Sequence, residues 1–323
     1  MIPTAPRVTE HAPLVSVIVP TFNGASLLPD CLRSLEGQTY QPLEILVVDD
    51  GSTDSTPDFM QRCFPKARLR SLPRNRGFAH AVNEGIRASN GAIVVLLNND
   101  AVAEPQWVAK LVAALERHPH AGMIASKMLL QEPAGIINAV GDLLRRSGVP
   151  DNRGVWEPDG GQYDQEVEVF GASGGAAAYR RTMLDEVGLF DERFFMYCED
   201  VDLAIRAQLA GYRCVYAPGA VVHHRLSATG GGSLASFYSA RNIVWLLARD
   251  VPRAMWTQHW PLILGEQVRR VLLAVRHGRE PAARAQLGGL LAGLRAVGQL
   301  CRERPRVADG RGDAEHYLLS LLT

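Results

Sequence analysis

Five short motifs in this sequence have residue types and spacing that could do chemistry. Asp49-Asp50-Gly51-Ser52-Thr53-Asp54 follows an apolar run. It reads either as a turn in which Ser52 or Thr53 caps the next helix, or as a place where a carboxylate accepts from a nucleobase NH. Asn98-Asn99-Asp100 ends another apolar run. A polar turn is expected there in any case. The functional reading is that Asp100 holds a divalent cation on a diphosphate, because Mg2+ and Mn2+ favour oxygen ligands and take few of them from protein. Glu199-Asp200 opens a helical pattern, where acids are favoured by the helix dipole alone. The pair also follows the aromatic stretch Phe190 to Tyr197. Burial of that stretch would hold a carboxylate in a cleft, where it could act as a general base. His223-His224 closes a strand-like run and is either structural or a ligand pair. Gly171-Ala172-Ser173-Gly174-Gly175 is either a tight turn or a stretch that lets a ligand approach the backbone closely.

The elements that must position these residues alternate in periodicity. Leu14–Val19, Leu43–Val48, Ala67–Leu72 and Ala92–Leu97 read as strands. Between and after them Ser26–Leu35, Asp54–Phe64, Phe78–Ala88 and Pro105 to about His118 read as helices. Near-continuous apolar strands alternating with helices predict a parallel sheet covered on both faces. Ligands bind such sheets beyond the carboxyl ends of the strands, and the polar motifs fall there. From Gly122 to Phe170 the alternation stops, which predicts a mixed sheet in the second half, with a Gly/Pro/Asp-rich loop over Ser147–Gly161. Beyond it lie a helix from Cys198 or Glu199 to about Leu209 and short strands at Tyr212–Tyr216 and Ala220–His223. Gly230-Gly231-Gly232 is a flexible break. Helices follow at Leu234–Ala248, Pro252–His277 and Pro281–Cys301, with a last one near the C-terminus.

Composition limits the alternatives. The chain has 323 residues, 47% hydrophobic and 21% charged, with no net charge. Disorder, a fibre and a small disulfide scaffold are excluded, and nothing supplies the overall positive field of a basic nucleic-acid binder. Residues 249–323 hold twelve Arg and no Lys against seven acids, so the tail is basic and the body acidic. The five cysteines are scattered without a CxxC, which predicts reduced, mostly buried thiols in a cytoplasmic protein. No apolar stretch reaches the ~18 residues of a spanning helix. Pro20-Thr21-Phe22-Asn23-Gly24 stands where a dinucleotide fold would show GxGxxG, and no P-loop occurs.

The motifs taken together carry a resemblance. Val17-Ile18-Val19-Pro20-Thr21-Phe22-Asn23, Val47 to Asp54, Asn75-Arg76-Gly77-Phe78-Ala79 with Asn83, and Leu96 to Asp100 occur in order. So do Gly188 to Glu192, Glu199-Asp200-Val201-Asp202-Leu203 with Arg206, Pro218 to His224, and Arg241-Asn242. From Ser16 to about Asn242 the sequence resembles the family 2 glycosyltransferases of the GT-A fold, especially their rhamnosyltransferase-like branch. That resemblance implies an α/β fold, with a Rossmann-like nucleotide-binding half, a mixed central sheet and a C-terminal helical region. The corresponding divisions are a flexible N-terminus at 1–13, the GT-A domain at 14–232 and the helical region at 233–323.

The resemblance also implies roles. Asp49 and Asp50 hold the nucleotide base, Asp50 by direct contact, with Pro20, Thr21, Asn23, Asn75, Gly77 and Asn98 completing the nucleotide site. Asp100 is the ligand for Mn2+ or Mg2+ in the place of the family's DxD motif, from which Asn98 departs by replacing the first Asp. His224 is the late metal-binding histidine, with His223 as fallback. Asp200 is the base of an inverting transfer, beside Glu199 and in preference to Asp202. Ser173, Gly174 and Gly175 lie on the acceptor side. The implied donor is a dTDP-rhamnose or UDP-hexose type of nucleotide sugar. The implied acceptor is a saccharide or lipid-linked saccharide in cell-surface polysaccharide or glycoconjugate synthesis. An inactive nucleotide-sugar-binding domain serving as sensor or scaffold is the alternative. A nucleotidyltransferase would want a Gly-rich basic loop, and Thr21–Leu28 has one Gly and no Lys or Arg. The tail is expected to cap the catalytic domain, with peripheral contact to an anionic membrane as the other reading; a homo-oligomer is left open.

Overall fold

The computed structural model describes residues 12–65, 67–225, 231–303 and 312–323. All but the last two residues of the 1–13 segment, and Gly230 of the glycine break, lie outside them. Strands β1 (Val15–Thr21), β2 (Leu43–Asp49), β3 (Arg68–Ser71) and β4 (Ile93–Leu97) run parallel in the order β3-β2-β1-β4. Helices α1 (Leu28–Glu36), α2 (Thr56–Cys63) and α3 (Phe78–Ala88) connect them. This is the alternation that the apolar runs predict.

The chain continues through β5 (Ala101–Ala103), α4 (Trp107–Arg117), β6 (Ala121–Leu130), β7 (Ile137–Ala139), β8 (Asp142–Leu144), β9 (Pro150–Asn152) and β10 (Val167–Val169). Then come β11 (Ala176–Arg180), α5 (Arg181–Val187), α6 (Glu199–Leu209) and β12 (Arg213–His224). β11 lies antiparallel between β4 and β6, and β12 runs parallel to β6, so the sheet turns mixed in its second half. Strand alternation divides the core. Val15, Val17 and Val19 pack with α1 and α4 on one face, while Ile18 packs with α3 and α6 on the other.

Several local expectations change. β6 is a ten-residue strand through a stretch that reads as irregular. Its Gly122, Ser126 and Lys127 break the apolar run, yet each is accommodated by tertiary partners. Ser126 accepts from Trp107 Nε1 at 2.9 Å, and buried Lys127 is paired with Asp159 and Asp164 at 3.0 Å. The two expected strands at 212–223 are one strand, with a register shift between Ala217 and Val221 where Pro218-Gly219 interrupts pairing. α2 is not capped by Ser52 or Thr53: Asp54 accepts from the Thr56 NH at 2.9 Å, and Ser52 Oγ accepts from the Asn23 NH. All five thiols are free, but only Cys31 and Cys214 are buried, while Cys63 and Cys301 are exposed.

The tail forms α7 (Gly232–Arg249), α8 (Arg253–Arg276), α9 (Pro281–Glu303) and α10 (Gly312–Ser320). Ile243, Leu246, Leu247, Met255, Ile263 and Leu318 join the main core. Arg249 is buried among Asp191, Asp202 and Asp250. The C-terminal helices therefore pack on the sheet domain. The outer face of α8 is different. Trp260, Leu262, Leu264, Val268, Val271, Leu272, Leu273 and Val275 are exposed along it, whereas Trp256 turns inward, its Nε1 donating to Leu247 O at 2.9 Å. No helix among the described residues is long and apolar enough to cross a membrane.

Candidate active site

A cleft of about 990 Å³ opens beyond the carboxyl ends of β1 and β4. It gathers residues from each of the five short motifs with which the sequence reading begins. On one side lie Pro20, Thr21, Asp50, Asn75, Gly77 and Asn98, and on the other Ser173, Gly174, Gly175, Glu199 and Asp200, the two meeting where the Asn98 NH donates to Gly175 O at 2.8 Å; Asp100 and His224 also line it.

The first side is held by backbone donors. Asp50 accepts from the NH groups of Arg76 (3.0 Å) and Gly77 (2.7 Å). Burial raises its proton affinity, and those two NH groups act against the rise. Gly77 sits at φ 93°, and a Cβ there would lie 2.4 Å from Phe195 O, so only glycine lets these two segments touch. Thr21 Oγ1 accepts from Asn99 Nδ2 at 2.7 Å, tying the end of β1 to the turn after β4. Asp49 and Asn23 stand behind this wall and do not line the cleft. Asp49 Oδ1 accepts from the Ser52 NH at 3.0 Å, and Asn23 Oδ1 accepts from the Thr53 NH at 2.8 Å. Both shape the turn that presents Asp50.

His224 and Asp100 face one another, with Nε2 and Oδ1 3.1 Å apart. Asn138 Oδ1 lies 3.0 Å from His224 Nδ1, which orients the ring so that Nε2 is directed at the carboxylate. A lone pair and a carboxylate oxygen at this separation need a proton or a cation between them. The pair therefore fits a divalent ion that completes its shell with water and phosphate oxygens. Among the described residues no group of three or more His, Cys, Asp or Glu is poised to hold a metal by itself. His223 points to the other face of β12, where its Nε2 is 3.5 Å from Glu104.

The carboxylates opposite are set up by a strained segment. Phe195, Tyr197 and Cys198 have φ of 66°, 68° and 69°, a conformation non-glycine residues hold only when their surroundings enforce it. Here the enforcement is visible. Asn242 Nδ2 donates to Phe194 O, Met196 O and Tyr197 O at 3.0, 2.9 and 2.7 Å, and Arg241 Nη2 donates to Arg193 O and Phe194 O. This is the local role of Arg241-Asn242. The segment delivers Asp200 to the cleft, where Oδ2 accepts from the Gly174 NH at 3.0 Å and Oδ1 from the Val201 NH at 2.8 Å. Burial wins over these donors and raises the Asp200 proton affinity above the ordinary carboxylate value. Asp202 is unavailable, fully buried against Arg206 and Arg249. Glu199 is buried with Oε2 unpartnered, and its proton affinity is pushed well up by burial and then by Asp200.

Sequence patterns missed three contributors to the cleft. Asp142 and the β9 residues Pro150, Asp151 and Asn152 come from the stretch read as irregular. Leu234, Ala235, Tyr238, Ser239 and Ile243 come from α7, the start of the expected C-terminal helical region. Asn138, which orients His224, had no signal beyond its polarity.

Sheet order, strand-end cleft and added helices define a GT-A fold, and solved structures share it. Mannosyltransferase PcManGT from Pyrobaculum calidifontis, in complex with GDP-Man and Mn2+, aligns with TM-score 0.54 and 23% identity over 97% of this chain and 86% of its own. GalNAc-T7 with UDP, GalNAc and Mn2+ aligns with TM-score 0.60 and 17% identity over 75% and 49%. The chain belongs to glycosyl transferase family 2, whose family model matches residues 16–188. It is also 30% identical over 306 residues to the N-acetylglucosaminyl-diphospho-decaprenol L-rhamnosyltransferase of Mycobacterium tuberculosis, covering 86% of this chain and 97% of that protein. The protein is therefore a glycosyltransferase of rhamnosyltransferase-like type.

Proposed function

We propose that this glycosyltransferase moves a sugar, with inversion, from a nucleotide diphosphate to an acceptor hydroxyl. The observation that carries the reading is that one cleft holds both the Asp100–His224 pair and a carboxylate fixed by two backbone NH groups. Asp200 takes the acceptor proton as that oxygen bonds to the anomeric carbon and the bond from that carbon to the diphosphate oxygen breaks. A base with raised proton affinity is better matched to this task than an ordinary carboxylate. Asp50, Thr21, Asn75 and Asn98 hold the nucleotide, with Asp49 and Asn23 supporting the turn. Asp100 and His224 would hold Mn2+ or Mg2+, which supplies charge neutralisation at the departing diphosphate.

The name of the mycobacterial relative supports L-rhamnose as the transferred sugar and an N-acetylglucosaminyl diphospho-lipid as acceptor; a UDP-hexose is the other donor class. Residues 14–232 form the catalytic domain, and 233–323 a helical region that closes one wall. The exposed apolar face of α8, with Arg269 and Arg276 exposed on the same helix, supports contact with the cytoplasmic surface of an anionic membrane. Co-sedimentation with anionic vesicles and measurement of mass in solution separate that contact from a second copy of the chain.

The test incubates the protein and Mn2+ with dTDP-rhamnose or UDP-glucose and an N-acetylglucosaminyl diphospho-lipid. Product mass and anomeric configuration are read by mass spectrometry and NMR. An inverted glycoside is expected. Nucleotide-sugar binding without turnover would favour the sensor or scaffold reading, and a retained configuration would overturn the role given to Asp200.

A further inference from the structure

Asp142 opens β8, whose first residue is fixed from both sides. It pairs in register with Asn152 of β9, and its NH donates to Gly171 O at 2.9 Å. The side chain is 3% exposed and lines the cleft, and Oδ2 has no hydrogen-bond partner among the described residues. Leaving a buried polar group unmatched is costly, because its bond to water is lost and nothing replaces it. Core Gln208 nearby also keeps one oxygen unmatched, but its Nε2 is taken up by Phe170 O. Asp142 has no such internal use.

We propose that Asp142 is an acceptor-binding residue, its carboxyl group hydrogen-bonding a hydroxyl of the acceptor sugar beside the one that reacts. The inference rests on the transferase reading and adds a contact from a strand that the recognised motifs do not include. Its place in the cleft argues for the acceptor side. Its NH bond to Gly171 O ties it to the segment that carries Ser173, Gly174 and Gly175, and Gly174 in turn donates to Asp200 Oδ2 at 3.0 Å. The β8–β9 hairpin also brings Asn152, its cross-strand neighbour, to the same wall.

The chemistry suits a sugar hydroxyl. Three carboxyl groups share this end of the cleft, and like charges so placed do not all ionise. Asp200 has two NH donors to support a negative charge; Oδ2 of Asp142 has none. Burial, then Asp200 and Glu199, push the proton affinity of Asp142 well above the ordinary carboxylate value. A protonated carboxyl both donates and accepts, as a hydroxyl does. Glu199 is in a similar state but adjoins the base in the chain. Asp142 comes from a separate strand, so its substitution can report acceptor contact alone.

The test compares Asp142→Asn and Asp142→Ala with the unaltered chain. Asn keeps one donor and one acceptor group, so acceptor kcat/KM should fall about 10-fold for Asn and about 100-fold for Ala, mostly in KM. The donor KM, the rate of sugar release to water and the thermal shift with UDP or dTDP should stay within about 2-fold of the original. An unchanged acceptor KM in Asp142→Ala overturns the proposal. Equal losses of donor and acceptor binding would make Asp142 structural and overturn it too. Acceptor binding is read separately, by calorimetric titration of N-acetylglucosaminyl diphosphate onto the protein holding nucleotide. If transfer fails while titration still depends on Asp142, the activity reading falls and this inference stands.

Discussion

The two sides of the cleft differ in how their polar groups are satisfied. On the nucleotide side Asp49, Asp50, Asn23 and Thr21 each have an internal partner, mostly a backbone NH. On the acceptor side Asp142 and Glu199 each bury a carboxyl oxygen with none, and the backbone leading to Asp200 is held at three positive φ values. On the nucleotide side the named polar groups are matched within the protein, and the one positive φ among them, 52° at Asn23, is held by the bonds its side chain accepts from the next turn. The acceptor side keeps unmatched groups and strain, which is where proteins concentrate them when binding or chemistry requires it.

The largest effect should come from the one acceptor-side carboxylate that has its donors. Asp200→Asn keeps the shape and removes the proton acceptor, so turnover should fall about 10²–10⁴-fold while nucleotide affinity, read by calorimetry, stays unchanged. Near-normal turnover in Asp200→Asn with a dead Glu199→Gln would move the base to Glu199. Next is the junction between the sides. Excess chelator should abolish transfer, with Mn2+ or Mg2+ restoring it. Asn138→Ala, which frees His224 to rotate, should raise the metal concentration needed by about 10–100-fold. Full activity in excess chelator would remove the metal from the reaction.

The contrast can also be broken from the supporting backbone. Asn242→Ala strips the shared donor from Phe194 O, Met196 O and Tyr197 O. It should lower stability by about 1–3 kcal/mol and impair transfer more than nucleotide binding. Equal impairment of both would show that the segment serves the whole cleft.

The smallest effect concerns pH. Glu199 has a raised proton affinity in the folded protein, so folding binds a proton that the unfolded chain releases near pH 4. Stability from this group is therefore lost as pH rises above that value. Glu199→Gln removes the loss, and its melting temperature should gain on the original between pH 5 and pH 8, by about 2 °C at the upper end. A gain that shrinks with pH would contradict the sign.

The nucleotide side was legible because its signals are local. An apolar strand that ends in Asp49-Asp50 or Asn98-Asn99-Asp100 states its own period and its own polar terminus, and the parallel sheet puts those termini on one edge. Asp50 and Asp100 could be singled out without coordinates for that reason, whereas the choice of Asp200 rests on the family resemblance of the Glu199-Asp200 motif. The same local logic misplaced Ser52 and Thr53 as caps, since Asp54 is the closer competitor for the same NH groups.

The sequence by itself determined the strand–helix order through the four parallel strands, the polar edge and the motifs that carry the family. Tertiary structure alone decided that Asp49 and Asn23 support the wall and do not line it, that His224 and not His223 meets Asp100, and that burial outweighs the NH donors around Asp200. It also brought in Asp142 and α7. Each of these depends on groups far apart in the chain, such as Asp142 beside Glu199 and Asp200, or Asn242 beneath Tyr197. Their energies come from desolvation and from charges that only the packed sheet brings together, and no local period records them.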